Sequence, residues 1–357
     1  MPVNRSLISP TLNATLEQAL RDKLKRRAEV VGKLGALEPM ALRLGLIQNS
    51  LKPRFRTPQI ALFASDHGLA VDGIAVDGRP STAKLVGNVL GSELPVSVFA
   101  HIQGLELSVV DCGVAEPVAP HPRLLARKIA HGTRNVRVTA AMSLELAHAA
   151  IRAGMEIADA LPGNMVACAG IGVGSQESAA LVLARLGELN LRDLLVAGDD
   201  MPQEQLAHLM ALLQGAINRH KDVSDPVEVL AALGGFEIAM MVGLMLVAGS
   251  KRHLLVIDGL PACAALMIAS RIAPAVADYC IFARSHNHKG LDVALAGFGT
   301  TPLLDLGMHS IDGTGSTLAW PLIRSAAALL SEVVDGEDPE VSQPSTLGTD
   351  NASLDEA

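Results

Sequence analysis

The chain has 357 residues, of which 49% are hydrophobic and 18% charged, a length that suits one large domain plus a smaller one and a composition that fills a large buried interior. Only 2% are aromatic. The core is therefore aliphatic, which favours helices on a parallel sheet and excludes the aromatic platform on which single-stranded nucleic acids stack. The net charge is −8, but the segment Asp335–Ala357 holds seven acids and no Lys or Arg; removing that −7 leaves a nearly neutral body with no broad basic face for DNA or RNA.

In chain order, the opening MPVNRSLISPTLNATLEQAL has no apolar signal core. Residues 13–34 read as a polar helix and 37–50 as a second, before Pro53 and Pro58 break the pattern. Short aliphatic runs then end abruptly in Gly, Asp or Ser, each followed by helical periodicity. The runs are Gln59–Ser65, Leu105–Asp111, Met165–Gly170, Leu254–Asp258 and Asp278–Ala283. Their spacing predicts parallel strands buried on both faces. Helices are expected over 142–161, 176–186, 203–219, 226–249, 261–272 and 316–334, joining the strands by right-handed crossovers. The most apolar stretch, Ile238–Gly249, has 12 residues against the ~20 that span a bilayer, so a buried helix is expected and no membrane partner. Cys112, Cys168, Cys263 and Cys280 lie far apart with no C-x-x-C pair, as expected for reduced thiols of a cytoplasmic protein. The tail from Gly336 is polar and acidic, and is expected to be disordered.

Ligands of open α/β sheets bind beyond the carboxyl ends of the strands, so Asp66, His67, Asp111, the 170–175 turn, Asp258 and Ser285 are expected in one crevice. Gly170-Ile171-Gly172-Val173-Gly174-Ser175 stands between a strand and a helix, where backbone N–H groups and the helix start favour an anion; the other reading is a tight turn needing positive φ. His131-Gly132-Thr133-Arg134-Asn135 either grips a phosphate or carboxylate or caps the next helix. Asp312-Gly313-Thr314 precedes a helix, so Asp312 is a general base or a cap. His67, after Asp66, is a base or a turn residue. Ser285-His286-Asn287-His288-Lys289 lacks metal-ligand spacing and reads as a loop or pocket wall.

The ordered set LGALEPMALRLGLIQNS (34–50), IALFASDHGLAVDGIA (60–75), LSVVDCGV (107–114), GTRN (132–135), AGIGVGS (169–175), DPVEVLAALGGFEIA (225–239), LLVIDGLPACAAL (254–266), PLLDLGM (302–308) and DGTGSTLAWPLI (312–323) resembles the nicotinate-nucleotide:5,6-dimethylbenzimidazole phosphoribosyltransferase family, spanning residues ~30–334. The resemblance implies an α/β fold: an open, mostly parallel Rossmann-like sheet flanked by helices (56–317), a smaller helical domain from both chain ends (1–55 with 318–335) and a tail (336–357). It implies substrates nicotinate mononucleotide and a benzimidazole-type base, no metal or other cofactor, and a homodimer. Carried over residue by residue, Asp312 is the proton acceptor. Gly170, Gly172, Gly174, Ser175, Gly132, Thr133, Arg134, Asn135, Asp258, Gly313 and Thr314 bind the nucleotide. Asp66, His67, Lys84, Cys168 and Ser310 form the base pocket.

The chain departs from that pattern at several positions. Asp312 and Cys168 stand where the family has glutamates, Val173-Gly174 where it has Asn-Thr, Ala232 where it has lysine, HNHKG (286–290) where it has S-A-E-x-G, and Lys84 where a glutamine is expected. Two functions therefore stay open from sequence: a divergent transferase, or a paralogue that binds a nucleotide or small ligand without this transfer.

Overall fold

The computed structural model describes residues 8–74, 80–196 and 201–333; the acidic tail lies outside them. Six strands form one sheet: β1 (Gln59–Ser65), β2 (Glu106–Gly113), β3 (Leu124–Ala126), β4 (Met165–Ile171), β5 (Leu254–Asp258) and β6 (Cys280–Ala283). Every pairing is parallel, in the order β3-β2-β1-β4-β5-β6. The chain builds outward from β1 through β3, then returns to place β4 on the other side of β1. The direction of winding thus reverses between β1 and β4, where open sheets of this kind leave a crevice at their carboxyl edge. Strands β1, β4, β5 and β6 are buried along their whole length, which their unbroken aliphatic runs dictate.

Thirteen helices occur among the described residues: α1 (Ala14–Val31), α2 (Leu37–Gln48), α3 (Thr82–Leu90), α4 (Pro95–Ile102), α5 (Leu144–Ala160), α6 (Ser175–Gly187), α7 (Leu191–Leu195), α8 (Gln203–Arg219), α9 (Pro226–Leu233), α10 (Phe236–Ser250), α11 (Leu260–Ile272), α12 (Lys289–Gly297) and α13 (Thr314–Ser331). The single helix expected over 226–249 is two. Asp225 caps α9 by accepting from the Val227 and Glu228 amides, and the Gly234-Gly235 pair ends it before α10 begins. The strand expected over 278–283 is shortened because Pro274 starts a 3-10 turn running to Tyr279. The apolar run Thr82–Ile102 is divided into α3 and α4, of 9 and 8 residues, each far below the ~20 residues of a bilayer-spanning helix.

Helices α1, α2 and α13 pack together at the chain ends. Phe55 meets Trp320 edge to face at 5.2 Å, and the buried Arg27 guanidinium donates to the Leu329 carbonyl. Helix α13 also packs on α4, β5 and β6, so it runs from the sheet's carboxyl edge into the chain-end cluster.

Candidate active site

The site is built where β1 and β4 end. A Cβ placed on Gly172 falls 1.8 Å from the Ser65 carbonyl oxygen, so only glycine lets the two strand exits lie this close; its φ of +144° points the same way. Helix α6 starts directly afterwards with Gly174 as N-cap, in the left-handed region and without a side-chain cap. Such a start directs backbone N–H groups and the positive end of the helix dipole outward.

Asp66 organises the β1 side. Its carboxylate accepts from Thr82 Oγ1 and from the Ala115 amide (2.7 Å), and its carbonyl accepts from the Thr133 amide (3.0 Å). Thr82 Oγ1 in turn accepts from the Val173 amide (3.0 Å), while Thr133 Oγ1 accepts from the Gly68 amide (3.3 Å). The 131–135 loop is thereby laced to the β1 exit and the glycine turn. Asn135 donates to Asp72 (2.7 Å), and Arg134 is exposed. Asp111 accepts from the Val114 amide (2.9 Å) and pairs with Lys128 (3.3 Å).

His67 donates from Nε2 to Oε1 of Glu237, a wholly buried residue in the first turn of α10 (3.0 Å), and Ser175 Oγ donates to the same oxygen (3.0 Å). Burial would lower the His67 pKa, but the Glu237 charge and hydrogen bond outweigh it and the net shift is upward. With Nε2 directed at Glu237, that ring nitrogen has no free lone pair with which to accept a proton.

On the other side, Asp258 ends β5 and is completely buried. Its Oδ2 accepts from Ser285 Oγ (2.8 Å), the Ser316 amide (2.8 Å) and Ser316 Oγ (3.1 Å), and Ser285 Oγ accepts from the Gly315 amide (2.7 Å). Gly313, the N-cap of α13, has no side chain to offer, so the ends of β5 and β6 cap this helix instead. Burial raises the Asp258 pKa against these hydrogen bonds. Ser310 shares a hydrogen bond with Thr314 Oγ1 (2.8 Å).

Asp312, 6% exposed, lies over Gly259: a Cβ there would meet its Oδ2 at 2.1 Å. The same oxygen accepts from Gln176 Nε2 (2.9 Å). Burial, then the neighbouring Asp258, push the Asp312 carboxyl well above the usual carboxylate range, and the Gln176 bond pulls it back. Gln176 and Ser175 are consecutive on α6, so the chain of contacts runs from Asp312 through the α6 start to Glu237 and His67. Glu237, Gln176 and Thr82 escaped the sequence reading, while Ser316 stood inside the DGTGSTLAWPLI run (312–323) with no role of its own. Glu237 left one signal, a lone acid in an otherwise apolar helix after Gly-Gly; the others left none.

Two residues assigned to the base pocket stand apart from these hydrogen bonds. Lys84 is exposed on α3. Cys168 is wholly buried inside the sheet, with its thiol 3.8 Å from the Val256 carbonyl and its pKa pushed well up, chiefly by burial. His286 stacks edge to face on His309 (4.9 Å), and burial, then His286 and Arg284, lower the pKa of His288 to about 4. No group of three or more His, Cys, Asp or Glu among the described residues could hold a metal ion. A hollow of about 420 Å³ lined by Gln59, Glu106 and Arg123 lies at the opposite edge of the sheet and shares no residue with the carboxyl cluster.

A family model described as phosphoribosyltransferase matches residues 9–341. The chain is 39% identical to nicotinate-nucleotide–dimethylbenzimidazole phosphoribosyltransferase of Cupriavidus taiwanensis, over 91% of this chain and 94% of that one. It is 38% identical to the protein of the same name from Variovorax paradoxus, over 94% and 96%. The crystal structure of the Thermus thermophilus nicotinate-nucleotide–dimethylbenzimidazole phosphoribosyltransferase superposes with a TM-score of 0.83 at 29% identity, covering 93% of this chain and all of that one. Family model, sequence identity and superposition agree: the chain belongs to this phosphoribosyltransferase family.

Proposed function

We propose that the chain transfers the phosphoribosyl group of nicotinate mononucleotide to 5,6-dimethylbenzimidazole or a related aromatic base, giving an α-ribazole-type phosphate for the cobalamin nucleotide loop. The observation that carries this reading is the Gln176–Asp312 hydrogen bond (2.9 Å), which joins a buried acid to the start of the helix behind the glycine turn. The turn and the α6 start grip the phosphate. A ring nitrogen of the incoming base attacks the anomeric carbon as the bond to nicotinate breaks, with inversion, and nicotinate leaves. The proton on the other ring nitrogen of the base passes to Asp312, whose raised pKa makes it a stronger base than an ordinary carboxylate. The aspartate is one methylene shorter than the glutamate that the family resemblance implies, so the base it serves must approach more closely.

The partners are these small molecules rather than nucleic acid or membrane, in keeping with the nearly neutral body; the family resemblance supports a homodimer, and the four free, buried cysteines are in keeping with the cytoplasm. The test is direct. The protein is mixed with nicotinate mononucleotide and a panel of benzimidazoles and purines, and free nicotinate is followed by chromatography. Release that depends on the added base is the expected result; no release with any base overturns the transferase reading.

A further inference from the structure

We infer that Glu237 is a positioning residue for the reaction: its buried carboxylate fixes His67 and Ser175 together, and through them holds the phosphate-gripping turn in register with Asp312. This inference rests on the transferase reading. Glu237 Oε1 receives both His67 Nε2 and Ser175 Oγ at 3.0 Å, and Oε2 has no partner among the described residues. All its hydrogen bonding therefore goes to one residue of the β1 exit and the first residue of α6. The position is built for a carboxylate. It stands in the first turn of α10, where the helix dipole favours negative charge, and a Cβ on Gly235 would fall 2.2 Å from Glu237 Oε2 and 2.4 Å from His67 Cε1. Gly174, directly before Ser175, would put a Cβ 2.8 Å from that of His67, so the turn rests on the imidazole that Glu237 holds.

Packing alone does not account for the pair. A fully buried ion pair contributes little net stability, and apolar side chains of similar volume replace such pairs without loss. The pair lies at the reversal of the sheet, and Glu237 binds Ser175, the neighbour of Gln176, so two hydrogen bonds separate it from Asp312; it acts instead on geometry, where an error of ~1 Å costs ~100-fold in rate. It also sets charge. A lone buried carboxylate would repel a bound phosphate; the donors His67 Nε2 and Ser175 Oγ offset that charge. The titratable groups that bear on His67 are Glu237 from α10, the adjacent Asp66 and Glu177 from α6.

The test compares wild type with Glu237→Gln, Ser175→Ala and the double variant. The expected result is a rise in KM for nicotinate mononucleotide of ~10-fold in Glu237→Gln and severalfold in Ser175→Ala, with KM for the base unchanged and the two changes less than additive. The His67 ring, followed by nitrogen NMR, loses its proton at lower pH in Glu237→Gln than in wild type. A merely structural role would lower the active fraction, and so kcat, while leaving KM and the less-than-additive coupling absent. An unchanged KM in both single variants overturns the inference; if Glu237→Gln does not fold, Ser175→Ala decides alone. If wild type releases no nicotinate, the transferase reading fails separately, and calorimetric affinity for nicotinate mononucleotide in the same variants still decides whether Glu237 positions the turn.

Discussion

Helices α6 and α13 both begin at a left-handed glycine beside the carboxyl ends of the strands, yet their starts are used in opposite ways. At α13 the orphan amides are consumed internally: Gly315 donates to Ser285 and Ser316 to Asp258. At α6 the N-cap Gly174 offers no side chain, and the Ser175 amide donates to the Gly172 backbone carbonyl at 3.3 Å. The first start is a fixture beside the acid Asp312; the second is the one to which the proposed reading assigns the phosphate. Two equivalent glycine signals thus conceal one start capped by neighbouring strand ends and one whose N-cap offers no side chain. What separates them is whether neighbouring strands end in a side chain that reaches the amides.

The strongest way to break this comparison is to remove the acid that the α13 start carries. Asp312→Asn is expected to lower the rate of nicotinate release by about 10²-fold or more, the range of a lost general base. Its folded carboxyl pKa is raised, so ionisation at neutral pH costs the native state stability, a cost that grows as pH rises through the shifted range. The variant therefore melts no lower than wild type.

Next in size is the contrast between Gly172, in the turn before α6, and Gly313, the N-cap of α13. Gly172→Ala meets a backbone carbonyl at 1.8 Å, whereas a Cβ on Gly313 meets a methyl of Leu62 at 2.6 Å, which can turn aside. Urea unfolding is expected to show a loss of about 3 kcal/mol or more for Gly172→Ala and about 1–2 kcal/mol for Gly313→Ala. Equal losses would remove the distinction. Asp258→Ala strips the acceptor from three donors at the α13 start and is expected to cost about 2–3 kcal/mol by the same measurement.

The smallest effect sharpens the electrostatics. The acid limb of kcat/KM is expected above the ordinary carboxylate range, because only ionised Asp312 accepts a proton. Asp258→Asn keeps an acceptor for Ser316 but removes the neighbouring charge that raises Asp312. The limb should move to lower pH.

The strands at the centre of this architecture were legible because their burial on both faces leaves an unbroken aliphatic run: Gln59–Ser65 and Leu254–Asp258 have the bounds expected from sequence. The three-residue β3 was not, since its short register with β2 is set by the partner strand. Helices α3, α4, α7 and α12 are 5 to 9 residues long, too short for a periodicity to declare itself. The split at Gly234-Gly235 was hidden because both flanks are helical and apolar; the reason for the break, the crowding of Gly235 against Glu237 and His67, exists only in three dimensions. The same is true of the site. Asp312 was visible through the glycines beside it, but Gln176 is an ordinary helix residue until the fold brings it to that carboxylate.

Helix α13 has 18 residues, a rod of about 27 Å at 1.5 Å per residue. One end is bolted to β5 and β6, two residues from the acid. The other is clasped by Arg27, and Trp320 along it leans on Phe55. One helix thus ties the packing of α1 and α2 to the strand ends beside Asp312, so substitutions at the Phe55–Trp320 contact would bear on that acid without touching it.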